Sequence, residues 1–246
     1  MLRSTSPLLV ALFLLSSPDV CAERDALEPS PVVVELFTSQ GCSSCPPADK
    51  LLRQIGREPG VLALSFHVDY WNRLGWADPF SDRRWSERQE SYARAFRADG
   101  VYTPMMVIDG RQDLVGSKST QVREAIAERR SAAASAQLLV ETEIAAGTVE
   151  VRVRVTTLRP LPSKTDVVLL IFENGHRTAV TRGENARRML RNDFVVRERL
   201  VEPLREGEII LHQKLAEDWE PEALGIAVLV QERVSRRILA AHAVDL

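Results

Sequence analysis

Two cysteines separated by two serines, Cys42 to Cys45, constrain the fold of this chain more than any other feature. The apolar run from Val32 to Phe37 lies before them, and its length and β-branched residues predict a buried strand. After them, apolar residues recur at helical spacing, at Ala48, Leu51, Leu52 and Ile55. The sequence therefore predicts a strand that delivers a C-x-x-C pair to the N-terminus of a helix ending at Gly56.

This position of the cysteine pair predicts a redox chemistry. Unpaired N–H groups and aligned peptide dipoles place roughly half a positive charge at a helix N-terminus, which stabilises a thiolate there. We therefore expect Cys42 to be an exposed nucleophile and Cys45 to be the resolving thiol. Two other interpretations stay open. A structural disulfide closing so short a loop contributes only about 2 kcal/mol, and a structural zinc site needs four ligands, whereas no second C-x-x-C is present. We assign no metal ligands and expect no cofactor.

The N-terminal segment indicates export. Arg3 precedes a short apolar stretch, Leu8 to Leu15, and small residues follow before position 23. We predict a signal peptide over residues 1–22 and a periplasmic or secreted mature protein with no stable membrane span, because the apolar stretch is too short to cross a bilayer. A retained anchor and a lipid attached to Cys21 are the alternatives. Cleavage would leave the C-x-x-C pair as the only cysteines, in an oxidising compartment.

A second buried strand is predicted from Val61 to Val68, which completes a βαβ unit. The loop after it, Asp69 to Phe80, is rich in aromatic residues and leaves the same sheet edge that presents the cysteines. We interpret Trp71 and Trp76 as a partner-binding lip, or alternatively as the cover of a small core.

A helix beginning near Ser81 and ending near Gly100 is followed by Thr103 and Pro104, directly before an apolar strand. Proline cannot occupy a strand interior. If the bond before Pro104 is cis, Thr103 can pair with an extended substrate next to the sulfurs. Asp109-Gly110 then predicts a hairpin, and a last helix is predicted over residues 119–134.

This order of elements, β-α-β-α-β-β-α, resembles the thioredoxin fold over residues 30–135. The resemblance implies thiol–disulfide exchange through Cys42 and Cys45, and a cis Pro104 that shapes the substrate groove. The chain departs from thioredoxin in lacking Trp-Cys-Gly-Pro-Cys, so the redox potential and direction stay open. The segments 35–49 and 68–80 are also similar to a family of exported bacterial proteins catalogued as domain of unknown function 1223.

Glu35 is a candidate catalytic residue because a carboxylate in a buried strand is costly unless it is paired or neutral. It could relay a proton to Cys45. The alternative is a structural ion pair with Arg73 or with an arginine of the third helix. We interpret His67 as a packed histidine in its strand rather than as a catalyst.

The second half of the chain has the periodicity of β-strands. Apolar residues alternate with polar ones over 138–144 and 149–155, which predicts an antiparallel hairpin. Six further short strands are predicted. Residues 138–246 are therefore predicted to form an all-β, sandwich-like domain that follows the α/β thioredoxin-like domain. Between two of these strands, the arginine-rich segment 182–191 is either a solvated turn or a site for an acidic partner.

The sequence thus favours an exported protein that resembles thiol–disulfide oxidoreductases and acts on protein thiols, protein disulfides or a redox partner. With a net charge of −2, nothing points to nucleic acid. A non-enzymatic periplasmic binding or scaffold protein with an inert disulfide is one alternative. Copper handling by two soft thiolates is another.

Overall fold

The computed structural model describes residues 30–246, so the predicted signal peptide and Cys21 lie outside the described residues. Over this range the chain forms thirteen strands and three α-helices, with two short 3-10 turns. The first half contains β1 (Val32–Thr38), α1 (Pro46–Ile55), β2 (Val61–His67), α2 (Arg83–Phe96), β3 (Met105–Ile108), β4 (Gln112–Val115) and α3 (Ser119–Arg130). These are the predicted elements in the predicted order.

The second half is entirely β apart from one 3-10 turn. Its strands are β5 (Ala136–Ala145), β6 (Thr148–Thr157), β7 (Thr165–Glu173), β8 (His176–Ala179), β9 (Met189–Asn192), β10 (Val195–Pro203), β11 (Glu208–Lys214), β12 (Leu224–Glu232) and β13 (Ile238–Asp245). The predicted hairpin is confirmed, because β5 and β6 pair antiparallel. The strand β9 was not predicted, since its four residues carry no run of apolar positions.

The predicted fold class is wrong. An α/β thioredoxin-like domain followed by a separate β-sandwich would have two independent sheets, but one mixed sheet of eight strands crosses both halves in the order β13-β12-β7-β10-β2-β1-β3-β4. The halves join where β10 pairs parallel with β2, through Val195 and Ser65. The Ser65 amide donates to the carbonyl of Phe194 at 2.7 Å. The chain is therefore mostly β around a shared sheet, and the division into segments 30–135 and 138–246 stays a prediction.

Three groups of helices and strands cover this sheet. The helices α1 and α3 pack on one face of β1, with Val32, Val34 and Leu36 in the contact. Because side chains alternate along a strand, Val33 and Phe37 face the opposite way, towards α2. Further along the sheet, β5, β6 and β11 form a three-stranded sheet whose valines pack on β7 and β12. All nine residues of β7 are buried, which explains its continuous apolar run.

Glu35 lies on the α2 side of β1, in a buried ion pair with Arg88. The Arg88 Nε and Nη2 atoms donate to Glu35 Oε1 at 2.8 and 2.6 Å, and the Tyr92 hydroxyl donates to the other carboxylate oxygen. Gln231 of β12 donates to the Tyr92 hydroxyl at 2.9 Å. The ion-pair partner is therefore an arginine of α2, and neither Arg73 nor an arginine of α3 fills that role.

This buried pair generates a stability prediction. Arg88→Met would leave the Glu35 carboxylate buried without its cation, so we expect unfolding free energy to fall by about 3–5 kcal/mol. The double variant Glu35→Leu/Arg88→Met removes both charges and should lose less than Arg88→Met alone. Urea unfolding at pH 7 measures both values. Equal or larger losses in the double variant would contradict a paired role for Glu35.

Candidate functional site

The cysteine pair lies between β1 and α1, as predicted, and is joined by a disulfide with the two Cα atoms 5.5 Å apart. Cys45 directly precedes α1, and Pro46 and Pro47 occupy the first turn. The Cys45 carbonyl accepts the amides of Ala48 and Asp49 at 2.8 and 3.1 Å. The first turn of α1 therefore has no unpaired N–H group, because Pro46 and Pro47 carry none and the amides of Ala48 and Asp49 are bonded to Cys45.

Thr103 and Trp71 meet the first sulfur. The Thr103 hydroxyl donates to Cys42 Sγ at 3.2 Å and accepts the indole N–H of Trp71 at 2.8 Å. The peptide bond between Thr103 and Pro104 is cis. Ser44 Oγ lies 3.2 Å from the same sulfur. Five residues that the sequence marked as candidate site residues are thus neighbours here, while their catalytic and binding roles stay predictions. They are Cys42, Cys45, Trp71, Thr103 and Pro104.

Neither cysteine reaches solvent, because the exposed fraction of each is 0%. The expectation of an exposed Cys42 is therefore wrong. The segment 181–188 of the second half of the chain, between β8 and β9, lies against the cysteine loop, and we call it the capping loop. Asn185 of this loop is buried and donates its amide N–H groups to the carbonyls of Gln40 and Cys42 at 2.9 and 2.8 Å. Glu184 accepts the Ser43 amide at 3.0 Å.

Gln40 connects the cysteine loop, the aromatic loop and the hairpin of β8 and β9. Its amide nitrogen donates to Thr178 Oγ1 and Asn192 Oδ1, both at 3.0 Å, and its amide oxygen accepts the Trp76 indole N–H at 3.2 Å. A Cβ on Gly183, whose φ is +72°, would lie 3.1 Å from Trp76 Cβ. The indole N–H groups of both tryptophans predicted to bind a partner, Trp71 and Trp76, thus donate hydrogen bonds within the protein. Their proposed contact with a partner stays a prediction.

A buried carboxyl group stands one helical turn beyond Cys45. Asp49 shares the helix face of Cys45 through i,i+4 spacing, and the Thr38 hydroxyl donates to its Oδ1 at 2.9 Å. Burial raises the pKa of Asp49 to about 6, against smaller lowering effects from nearby His67 and from the Thr38 hydrogen bond. This group can therefore change its protonation near neutral pH.

His67 and Asp78 form a second buried pair behind the cysteine loop. His67 Nδ1 lies 2.7 Å from Asp78 Oδ2, and the same oxygen accepts a hydrogen bond from the backbone N–H of Gln40 at 2.7 Å. Burial alone would lower the pKa of His67, but the carboxylates of Asp78 and Asp49 together raise it. His67 Nε2 has no hydrogen-bond partner among the described residues. The histidine is packed, as predicted.

Sequence reasoning missed Asp49 and Asn185. A signal for Asp49 was available, because an acid four residues after Cys45 falls beside the apolar stripe of α1. No local signal marks Asn185, which lies 143 residues from its partner Cys42. In contrast, Glu35 is not part of this site, since it contacts α2 on the other face of β1.

Residues 33–231 match the family model described as a protein of unknown function, DUF1223. The chain belongs to the DUF1223 family. Among solved structures it is similar to protein AGR_C_4864 from Agrobacterium tumefaciens, with 29% identity over 89% of this chain and 96% of that one, and a TM-score of 0.68. It is also similar in fold to HBP35 of Porphyromonas gingivalis, with 14% identity, 89% and 76% coverage, and a TM-score of 0.65. No curated protein matches.

Residues 30–246 of this DUF1223 protein contain neither a membrane-spanning helix nor a metal-binding cluster. None of its helices there has the length and apolar character that a membrane span requires. In the same range, no group of three or more His, Cys, Asp or Glu side chains is arranged to hold a metal ion. Copper handling by the two cysteines stays a prediction.

The raised pKa of Asp49 predicts a pH-dependent stability difference. The folded chain holds this proton up to about pH 6 whereas the unfolded chain releases it near 3.8, so the group's contribution to unfolding free energy decreases as pH rises between these values. Asp49→Asn carries no charge, so at pH 8 we expect it to be more stable than the native protein by about 3 kcal/mol. Below pH 4 the difference should vanish.

Urea unfolding at pH 4, 6 and 8 measures this difference. Asp99→Asn is the matched control, because Asp99 is exposed and its substitution should give no pH-dependent difference. A difference for Asp49→Asn that is constant across the three pH values would show that the Asp49 carboxyl does not titrate in this range.

Proposed function

We propose that this protein is an exported thiol–disulfide oxidoreductase-like protein that exchanges disulfides with protein partners through Cys42 and Cys45. The observation that carries the proposal is the disulfide at the N-terminus of α1, with the Thr103 hydroxyl 3.2 Å from Cys42 Sγ. The Thr103 hydroxyl, as a hydrogen-bond donor, stabilises a thiolate at that sulfur, and the positive end of the α1 dipole, which begins at the disulfide partner Cys45, adds to this effect. A sulfur so placed is a good attacking group and a good leaving group.

The exchange begins at Cys42 in either direction. When the protein oxidises a partner dithiol, a partner thiolate attacks Cys42 Sγ, the Cys42–Cys45 bond breaks, and Cys45 leaves as a thiolate with the electron pair. The partner's second thiolate then attacks the partner sulfur of the mixed disulfide and releases Cys42 as a thiolate. Two electrons pass to the cysteine pair, and the partner gains a disulfide. The reverse sequence reduces a partner disulfide.

Cys45 needs a proton when it becomes a buried thiol, because an isolated buried thiolate is costly. We assign this proton to Asp49, which shares a helix face with Cys45 and has a pKa of about 6. As a carboxylic acid it protonates the leaving Cys45, and as a carboxylate it accepts the proton when Cys45 resolves a mixed disulfide. Asp49 replaces Glu35 in this role, since Glu35 is bound to Arg88 on the opposite face of β1.

The burial of both sulfurs favours a second candidate, a non-enzymatic binding or scaffold protein in which the disulfide is inert. The two candidates differ in one respect. In an oxidoreductase the capping loop must move away from Cys42 during exchange, whereas around an inert disulfide it stays closed. The contacts of Asn185 and Glu184 are compatible with either behaviour.

Export is part of the proposal. The Arg3 and apolar pattern of residues 1–22 supports a signal peptide, and a periplasmic or secreted location would supply the oxidising conditions in which a C-x-x-C pair is maintained as a disulfide. The expected partners are therefore proteins of the same compartment that carry reactive thiols or disulfides.

Mixed-disulfide trapping tests the function. Cys45→Ser removes the resolving thiol, so partners that react with Cys42 should stay covalently attached and be released by dithiothreitol. We expect trapped partners in periplasmic or secreted extracts, and more of them when Asn185→Ala is added to loosen the capping loop. Cys42→Ser, with and without Asn185→Ala, is the control. If Cys45→Ser/Asn185→Ala traps no more than Cys42→Ser/Asn185→Ala, the inert-disulfide candidate is correct.

A further inference from the structure

The hairpin of β8 and β9, residues 176–192, belongs to neither of the two larger sheets. Its two strands pair only with each other, while strands from both halves of the chain form the main sheet around it. Isolated two-stranded hairpins have little stability of their own. The hairpin is attached at its base, where Asp193 Oδ1 accepts the Gly175 amide and Asn174 Oδ1 accepts the Phe194 amide. It is also attached along its strands, where the Gln40 side chain donates to Thr178 and Asn192, so the part free to open is its tip, the capping loop. Such an element can open locally while the main sheet stays folded.

Asn185 holds the tip of this hairpin closed over the disulfide. Its amide nitrogen bonds two backbone carbonyls that flank the cysteine, those of Gln40 and Cys42. Its amide oxygen accepts a hydrogen bond at 2.8 Å from Arg188 Nη1. Arg188 is exposed, so a surface cation supports a buried bond that closes the site.

The outer surface of the hairpin is strongly basic. It carries five arginines, all exposed, against a single acid, Glu184, which accepts the Ser43 amide in the closed arrangement. The whole chain has a net charge of −2, so this positive charge is local to the element that covers the sulfurs. The arginines are Arg177, Arg182, Arg187, Arg188 and Arg191.

We propose that the β8–β9 hairpin is a gate over the disulfide and that an acidic segment of a partner protein opens it by binding the hairpin arginines. The inference rests on the proposed function, because the gate admits the partner whose thiols or disulfide react. A partner carboxylate that takes Arg188 removes a hydrogen bond from Asn185. The same negative charge repels Glu184 from Ser43, so both contacts that hold the tip are weakened together.

The chemistry of the covered site selects a protein as the source of the acidic group. The second reactant in disulfide exchange is a cysteine of another protein, so one molecule can supply both the acidic segment and the reacting sulfur. A nucleic acid or an anionic lipid would bind the same arginines but would bring no thiol.

The rate at which dithiothreitol reduces the Cys42–Cys45 disulfide measures opening directly, because a small thiol reaches a buried disulfide only in the open state. Asn185→Ala removes two hydrogen bonds from the closed state, so we expect reduction to accelerate roughly tenfold. Arg205→Gln, in the turn between β10 and β11, is the matched control, since it removes an exposed arginine charge outside the hairpin, and its rate should equal that of the native protein. Reduction of Asn185→Ala at the native rate would overturn the gate.

A second variant secures the test if Asn185→Ala does not fold, as judged by circular dichroism. Glu184→Ala changes an exposed side chain and removes only the bond to Ser43. We expect it to accelerate reduction about three- to fivefold, since it removes one closing hydrogen bond. An unchanged rate for this folded variant would also overturn the gate.

Poly-L-glutamate is the probe for the partner chemistry. It should accelerate reduction of the native protein at low salt and lose its effect at about 0.5 M NaCl, where surface charges are screened. In Arg188→Gln the basal rate should rise and the acceleration by poly-L-glutamate should be smaller, while Arg205→Gln, outside the hairpin, retains the full effect. If poly-L-glutamate does not accelerate reduction, or accelerates it equally in Arg188→Gln, the proposal that an acidic segment opens the gate is wrong. If anionic lipid vesicles or DNA accelerate reduction equally, the assignment of that acidic segment to a protein is wrong.

The gate and the proposed function fail in different experiments. Dithiothreitol reports on opening whether or not the protein has a physiological partner. If Asn185→Ala accelerates reduction but the Cys45→Ser trap stays empty, the hairpin covers an inert disulfide and the function is wrong. If the trap captures partners but no variant changes the reduction rate, exchange occurs without this gate.

Discussion

The pairing of β10 with β2 is the interaction on which the rest of the structure depends. Through the bond between Ser65 and Phe194, strands from both halves enter one sheet, and β2 becomes an interior strand instead of an edge. Because Asp193 and Phe194 directly follow the hairpin of β8 and β9, the same pairing places that hairpin beside α1 and over the cysteines. The cover of the disulfide is thus a consequence of how the sheet is assembled.

Two buried carboxyl groups, those of Glu35 and Asp49, lie on opposite faces of β1 and have different surroundings. On the α2 face, Glu35 is bound by Arg88 and Tyr92, an arrangement that satisfies the carboxylate and keeps it away from the sulfurs. On the α1 face, Asp49 accepts a hydrogen bond from Thr38, and burial raises its pKa to about 6 although the nearby cations His67 and Arg53 lower it. A carboxylate held by an arginine stabilises a fold, whereas one that is buried without a cation in contact can exchange a proton.

Local elements of this protein were predictable because local periodicity decides them. The strand before Cys42, the helix after Cys45, the hairpin at Asp109 and the alternating strands β5 and β6 follow from spacing and turn chemistry within about twenty residues. The association of the two halves was not predictable in the same way. Nothing in the β-branched run of β2 tells whether its free edge pairs with a later strand, since either environment favours the same residues.

The chain alone therefore determines that a C-x-x-C pair stands between a strand and a helix, with Thr103 and Pro104 ahead of a later strand. The tertiary structure decides that both sulfurs are buried, that Glu35 is bound by Arg88 on the α2 face of β1, and that Asn185 bonds to the cysteine loop. The physical reason is distance along the sequence. Exposure and hydrogen bonding of a loop depend on whichever distant segment packs against it, and here that segment lies more than 140 residues away.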